Sequence, residues 1–240
     1  MNSRNRTATR GLLQSEEEWD VRNRVLAASL ACLAERYLRD EGGRGLDIGC
    51  QDGALTDYLN AHTKIGWEGI DPILPETQRS ARGAVLHSAA ADGIPYADSF
   101  FSCLLLANVF EHIPPPRRHA SFVEMCRVLE PGGIIVGQIP NPYFPIEAHS
   151  RLPFMGWLPI TLRKKYWVLS PVPWEHDFFS VTPRHIKAET RRAGMQVVMI
   201  ENFNYPVAAL PKQVRPLAAA LRFPMGRFPW AWQFVIRRPT

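Results

Sequence analysis

The segment Gly45-Leu46-Asp47-Ile48-Gly49-Cys50-Gln51-Asp52-Gly53, with a second apolar run ending at Ile70-Asp71-Pro72, constrains the fold more than any other feature. An apolar run ending in an acid and closely spaced glycines describes a buried strand turning sharply into a helix. Glycine suits such a turn because its backbone bends tightly and admits a ligand without a Cβ in the way. The helix from about Ala54 then points its first N–H groups at that ligand. The second run, Ile65 to Ile70, delivers the carboxylate of Asp71 to the same crevice of a doubly wound sheet, where it suits a ribose diol. Two such strand ends predict a nucleoside-binding half-domain. The plainer alternatives are a turn acid before Pro72 and, for Asp47, a carboxylate that caps a helix.

The dinucleotide fingerprint G-x-G-x-x-G does not fit Gly49-Cys50-Gln51-Asp52-Gly53-Ala54. The segment instead resembles motif I of the class I S-adenosylmethionine-dependent methyltransferases, an acid followed by G-x-G-x-G. Ile94-Pro95-Tyr96-Ala97-Asp98-Ser99-Phe100-Phe101-Ser102 resembles the L-P-F…F-D block of that family. Val109-Phe110-Glu111-His112-Ile113 resembles its V-L-E-H-I block, and Arg127-Val128-Leu129-Glu130-Pro131-Gly132-Gly133 its R-V-L-K-P-G-G block. Four blocks in order, from about Leu46 to Pro140, are far more specific than any one of them.

The resemblance implies a Rossmann-like, doubly wound, seven-stranded and mostly parallel sheet, with an antiparallel last strand between the fifth and sixth. It implies S-adenosylmethionine as cofactor, with Asp47 near the methionine end and Asp71 on the ribose. Gly49, Gly53, Pro72, Asp92 and Asn108 complete the expected cofactor site. Three departures stand out. Gln51 replaces the middle glycine, Ser102 replaces the acid of the F-D pair, and Ala90 stands where the family often places an adenine-binding acid. Asp92 takes that last role after a local shift, or backbone groups hold the adenine alone.

A chain of 240 residues, 46% hydrophobic and 21% charged, accommodates one α/β domain with a generous core. No apolar run approaches the roughly 18–20 residues of a spanning helix, and Arg4, Arg6 and Arg10 precede no secretory apolar segment. Cys32, Cys50, Cys103 and Cys126 form no C-x-x-C pair, so reduced thiols and a cytoplasmic setting are expected. The net charge of +5 is uneven: Lys212, Arg215, Arg222, Arg227, Arg237 and Arg238 fall in 205–240 with no acid. That excess suits an anionic surface or substrate, although ordinary soluble enzymes are also modestly basic.

Residues 1–14 read as a frayed arm. Ser15 and Glu18 form a capping box for a helix running to about Asp40, within an N-terminal segment 15–42. The cofactor-binding core occupies 43–140, with strands at Gly45–Ile48, Ile65–Ile70, Val85-Leu86, Cys103–Val109 and Ile134–Ile139. Helices are expected at Ala54–Ala61, Arg118–Leu129 and Thr182–Arg192, and further strands at Val197–Phe203 and Trp232–Arg237. Pro114-Pro115-Pro116 is expected to break the chain before its helix. Two segments exceed the minimal fold: 141–180, rich in proline and aromatics, and 204–229, which carries most of the basic excess. Both follow strands at the ligand end of the sheet and are expected to bind the acceptor.

Methyl transfer to a hydroxyl gains from a base, and His112, His149 and His176 are the candidates. Glu147-Ala148-His149 and Glu175-His176-Asp177 place an acid beside each inserted histidine. Each has a plainer reading, a hydrogen-bonded structural or exposed loop histidine. Their spacing matches no metal-ligand pattern, so no metal site is expected. The run Trp157-Leu158-Pro159-Ile160-Thr161-Leu162-Arg163-Lys164-Lys165-Tyr166-Trp167 suits either an active-site lid or an interfacial membrane helix. N-P-P-Y, a motif of N-methylation, is absent, and a small-molecule, glycan or lipid-linked hydroxyl is the expected acceptor. Nucleic acid is not expected, since the basic residues are scattered. A catalytically silent cofactor-binding scaffold and a nicotinamide-dependent oxidoreductase are the alternatives.

Overall fold

The computed structural model describes residues 16–38, 42–172, 177–209, 215 and 229–240. The arm at 1–14, the cap at Ser15, His176 and most of 204–229 lie outside the described residues. The elements in order are α1 (Glu16–Tyr37), β1 (Arg44–Ile48), α2 (Ala54–His62), β2 (Gly66–Ile70), β3 (Gln78–Arg79), β4 (Val85–His87) and β5 (Phe101–Ala107). They continue with α3 (Pro115–Val128), β6 (Leu129–Pro140), α4 (Ile160–Trp167), α5 (Pro183–Arg192), β7 (Gln196–Phe203) and β8 (Ala231–Arg237).

The strands form one sheet in the order β3-β4-β2-β1-β5-β6-β8-β7. β4, β2, β1, β5 and β6 are parallel, and β8 runs antiparallel to both β6 and β7. The seven expected strands are present, with the last one between the fifth and sixth. An eighth, the two-residue β3, pairs antiparallel with β4. Polar and very short, Gln78–Arg79 carries no periodicity by which a strand is recognised.

Helices cover both faces, and the apolar alternation of the central strands shows how. On β5, Leu104 and Leu106 join one core with Phe122 and Met125 of α3 and Ile186 of α5. Cys103 and Leu105 face the opposite core, with Leu30 and Ala34 of α1 and Leu59 of α2. β8 divides alike: Phe234 and Ile236 to one side, Val235 to the other. A strand buried on both faces reads as an unbroken apolar run, as Cys103–Ala107 does in the sequence. Tight layers follow: a Cβ on Gly137 would lie 2.3 Å from the Phe234 ring, and one on Gly45 2.5 Å from Trp67.

β6 starts at Leu129, ahead of the expected Ile134, and the start of α3 also differs, for a clear reason. The prolines at 114–116 do not precede α3 but open it, with Pro114 as N-cap and proline in the first turn. A missing N–H costs nothing there, because the first helical amides have no partner within the helix. α5 starts as expected, with Thr182 as N-cap and a capping box closed by His185.

Candidate active site

The parallel strands bring the carboxyl ends of β1, β2, β5 and β6 to one edge of the sheet. At the end of β1, Gly49 (φ 79°) and Gly53 (φ 81°) adopt the left-handed conformation, and a Cβ on Gly49 would meet Val109 Cγ2 at 2.4 Å. Gln51 is also left-handed (φ 54°), so the family's middle glycine position keeps its backbone shape with a side chain attached. The turn is pinned to its neighbour: the Gly49 and Cys50 amides both donate to Ile70 O, at 2.8 and 3.1 Å. Asp71 completes the tie. Its Oδ2 accepts from the Gln51 amide and its Oδ1 from the Ile73 amide, each at 2.9 Å. Pro72, next in line, is exposed at the turn.

Asp47 is buried one residue before the end of β1, where Thr56 Oγ1 donates to its Oδ2 at 2.8 Å. Burial pushes its carboxyl up to about 7, against the pull of the Thr56 hydroxyl and with a further push from the Asp71 charge. An acid held this way keeps its proton to a higher pH than an exposed carboxylate does.

Around the rim, Asp92 is engaged by Arg117, whose Nε and Nη2 each donate at 2.5 Å and hold its carboxyl below the usual range. Asn108 (φ 56°) leaves β5 through a left-handed turn, and its Oδ1 accepts from Gln138 Nε2 at 3.2 Å. Gln233 Nε2 in turn donates to Gln138 Oε1 at 3.2 Å, and Ser29 Oγ to Gln233 Oε1 at 2.9 Å. This relay runs from α1 through two strands to the rim. Nothing in the sequence marks it, because its members are polar residues scattered along apolar strands. The departure at Ser102 is absorbed structurally: its hydroxyl donates to Arg44 O at 3.1 Å. Arg127 ties two of the sequence blocks together, donating to Ile94 O, Tyr96 O, Asp98 and Glu124.

After Asn108 a 3-10 turn (Phe110–His112) presents Glu111 and His112, and the insert folds His149 onto them. Glu111 is 1% exposed, with no hydrogen-bond partner for either carboxylate oxygen among the described residues. Burial pushes its carboxyl up to about 7. His149 Nδ1 lies 2.9 Å from Glu147 Oε1, and its Nε2 3.7 Å from Glu111 Oε1. The ring stacks on Phe178 at 4.1 Å and meets His112 edge-on at 5.2 Å. His112 Nδ1 is 3.3 Å from Asp177 O. Glu147 also accepts the amides of His149 and Ser150; although burial opposes it, these bonds and the imidazole hold its carboxyl down at about 2. Two of the three candidate histidines therefore converge. Glu147 is the acid that the sequence places beside His149, and Glu111 is the partner that reading the histidines alone overlooks.

Beyond the cluster, the insert borders a cavity of about 700 Å³ lined by Asn141, Tyr143, Trp157, Arg163 and Trp232, among others. Arg163 fastens the insert, donating to Leu158 O, Gly156 O and Ser180 Oγ. In the sequence it belongs to a basic run; in the fold it is a clamp. α4 buries none of its residues, and Ile160, Leu162, Val168 and Leu169 are exposed on and beside it. Among the described residues no helix is long and apolar enough to cross a membrane.

The family model described as a methyltransferase domain matches residues 19–200, and the chain belongs to that family. By family and fold it is a class I S-adenosylmethionine-dependent methyltransferase. An S-adenosylmethionine-dependent methyltransferase from Mesorhizobium loti superposes with a TM-score of 0.58 at 18% identity, covering 88% of this chain and 96% of that one. The Burkholderia thailandensis 1,6-didemethyltoxoflavin-N1-methyltransferase, with 1,6-didemethyltoxoflavin and S-adenosylhomocysteine bound, gives 0.57 at 13% identity, covering 90% and 79%. The [4+2]-cyclase SpnF gives 0.55 at 17% identity, covering 89% and 81%. No curated protein matches the sequence. The family match sets aside the nicotinamide-dependent alternative.

Proposed function

We propose that the chain transfers the methyl group of S-adenosylmethionine to a hydroxyl oxygen of a small-molecule, glycan or lipid-linked acceptor. The observation that carries this reading is the cluster of Glu111, His112, His149 and Glu147 at the edge of the sheet where β5 ends. The acceptor oxygen attacks the sulfonium methyl in line. The O–C bond forms, the C–S bond breaks with its electron pair staying on sulfur, and the hydroxyl proton departs. Alignment supplies much of the rate, and a group that assists proton loss adds about a hundredfold or more. The cluster is suited to that second task.

The cofactor lies across the ends of β1 and β2. Gly49 and Gly53 let the backbone approach it, Asp71 and the following Pro72 meet the ribose, and Asp47 receives the methionine ammonium. Because Arg117 occupies both carboxylate oxygens of Asp92, backbone groups hold the adenine. Asn108, its Oδ1 already taken by Gln138, contributes its amide N–H groups. The segments 141–180 and 204–229 form the acceptor side, with the cavity against Trp157 and Trp232 as its described part.

Two experiments test the reading. Calorimetric titration is expected to show binding of S-adenosylhomocysteine and none of NAD. Tritiated-methyl transfer into a host-cell extract, fractionated by compound class, is expected to label an alkali-stable ether in a lipid, glycan or small-molecule fraction. Because one matching fold is a cyclase, transfer itself has to be measured. Cofactor binding with no labelled product would leave a silent scaffold, and label on nitrogen would overturn O-methylation.

A further inference from the structure

We propose that Glu111, His112 and His149 bind a divalent transition-metal ion, and that this ion meets the acceptor hydroxyl. One ligand atom from each of the three lies within 4.8 Å of the others. The cluster escaped spacing rules because its ligands come from two segments, the turn after β5 and the insert after β6, which only the fold unites.

Three observations separate this site from a chance cluster. First, Glu111 is buried with neither carboxylate oxygen hydrogen-bonded among the described residues, and a buried carboxylate that accepts no hydrogen bond is costly. Arg118, the cation on the following helix, acts on it through charge but gives it no hydrogen bond: its Nε donates to Ile113 O and its guanidinium lies over Phe110. Second, His149 is pre-oriented. With Nδ1–H donating to Glu147, the lone pair of Nε2 faces Glu111 Oε1. A carboxylate fixing the far nitrogen of an imidazole is the usual support of a histidine ligand. Third, the 3.7 Å between Nε2 and Oε1 is too long for a hydrogen bond, yet matches two ligands of one ion. Tetrahedral ligands about 2.0–2.2 Å from zinc lie roughly 3.3–3.6 Å apart, just inside that separation.

Two imidazoles and one carboxylate favour zinc or another late first-row ion over magnesium or calcium. Three protein ligands leave a coordination position for the acceptor. A hydroxyl bound there loses its proton to solvent near neutral pH, and the resulting alkoxide attacks the methyl group. This use of the ion rests on the methyltransferase reading; the binding site does not.

Untagged protein stripped with chelator and dialysed against cobalt(II) or zinc(II) should retain one ion per chain by elemental analysis, and the cobalt form should show ligand-field absorption. Glu111→Gln and His149→Gln should lose retention, and Glu147→Gln should weaken it about 10- to 100-fold. His62→Gln, outside the cluster, should behave as the parent. Circular dichroism and S-adenosylhomocysteine titration report folding and cofactor binding in each variant. Parent protein that binds S-adenosylhomocysteine but retains no ion, or folded variants that retain as much as the parent, would overturn the inference. Methyl transfer that persists in stripped protein would overturn the ion's catalytic use and leave the methyltransferase reading intact.

Discussion

At the scale of single residues, the crevice is defined by two acids in different surroundings. Asp71 holds the first turn through the Gln51 and Ile73 amides. In Asp71→Ala, S-adenosylhomocysteine should bind about 2–3 kcal/mol more weakly by calorimetry, the loss of charge-assisted hydrogen bonds. Asp47 behaves differently. Its carboxyl is raised from 3.8 to about 7, so it favours the protonated form in the unliganded fold. Its contribution to stability is therefore complete below about pH 4 and is lost as the pH rises through about 7. A ligand ammonium reverses that preference. Near pH 6, S-adenosylhomocysteine should release a proton on binding, visible as a dependence of the calorimetric heat on buffer ionisation; Asp47→Asn should abolish the release. Both acids were legible from the sequence as strand ends. Asp47's unusual proton affinity was not, because it arises from burial that only the folded sheet creates. Glu111 and the Ser29–Gln233–Gln138–Asn108 relay were hidden for a related reason: neither follows any periodicity.

At the scale of elements, most strands and helices were legible because each carries its own local signal: the apolar runs of β1 and β5, the Thr182-Pro183 start of α5. The exceptions are informative. The prolines before α3 looked like a break and serve as its first turn. β3 is too short and polar to announce itself. The motif I turn keeps its left-handed geometry at Gln51 at a cost of roughly 1–2 kcal/mol for a side chain in that region. Gln51→Gly should therefore raise the midpoint of denaturant unfolding, with a net gain of up to about 1 kcal/mol once glycine's greater unfolded entropy is subtracted. The insert depends on a different kind of support. Arg163 holds Leu158, Gly156 and Ser180 together, so Arg163→Ala should loosen 141–170. Amide exchange there should quicken while S-adenosylhomocysteine affinity stays within about twofold, and Arg163→Lys should not restore protection, because an ammonium lacks the planar fork.

For the whole molecule, the distribution of surfaces bears on where the acceptor is met. One end of the sheet carries the glycine turn after β1, the polar cluster and the cavity; the insert beside it exposes Phe154, Trp157, Ile160, Leu162, Val168 and Leu169 near Lys164 and Lys165. An apolar patch with cations at its margin suits contact with an anionic membrane. If the acceptor is lipid-linked, the protein should co-sediment with vesicles containing anionic lipid, less so as salt rises. Replacing Val168 and Leu169 with serine should reduce sedimentation and leave S-adenosylhomocysteine binding unchanged. The sequence showed the aromatic-basic run but not which of its members face outward. Arg163 was indistinguishable from its lysine neighbours until its partners were known.

The position of β8 has a consequence for how the protein is made. It follows both of its neighbours in the chain, yet it lies between them in the sheet, flanked by β6 and β7. During synthesis both neighbours emerge before it, each with an unpaired edge of backbone amides and carbonyls. Until β8 emerges, the nascent chain is therefore an adhesive intermediate. Its yield in a cell should depend more on chaperone supply and on how quickly β8 is translated than on the stability of the finished fold.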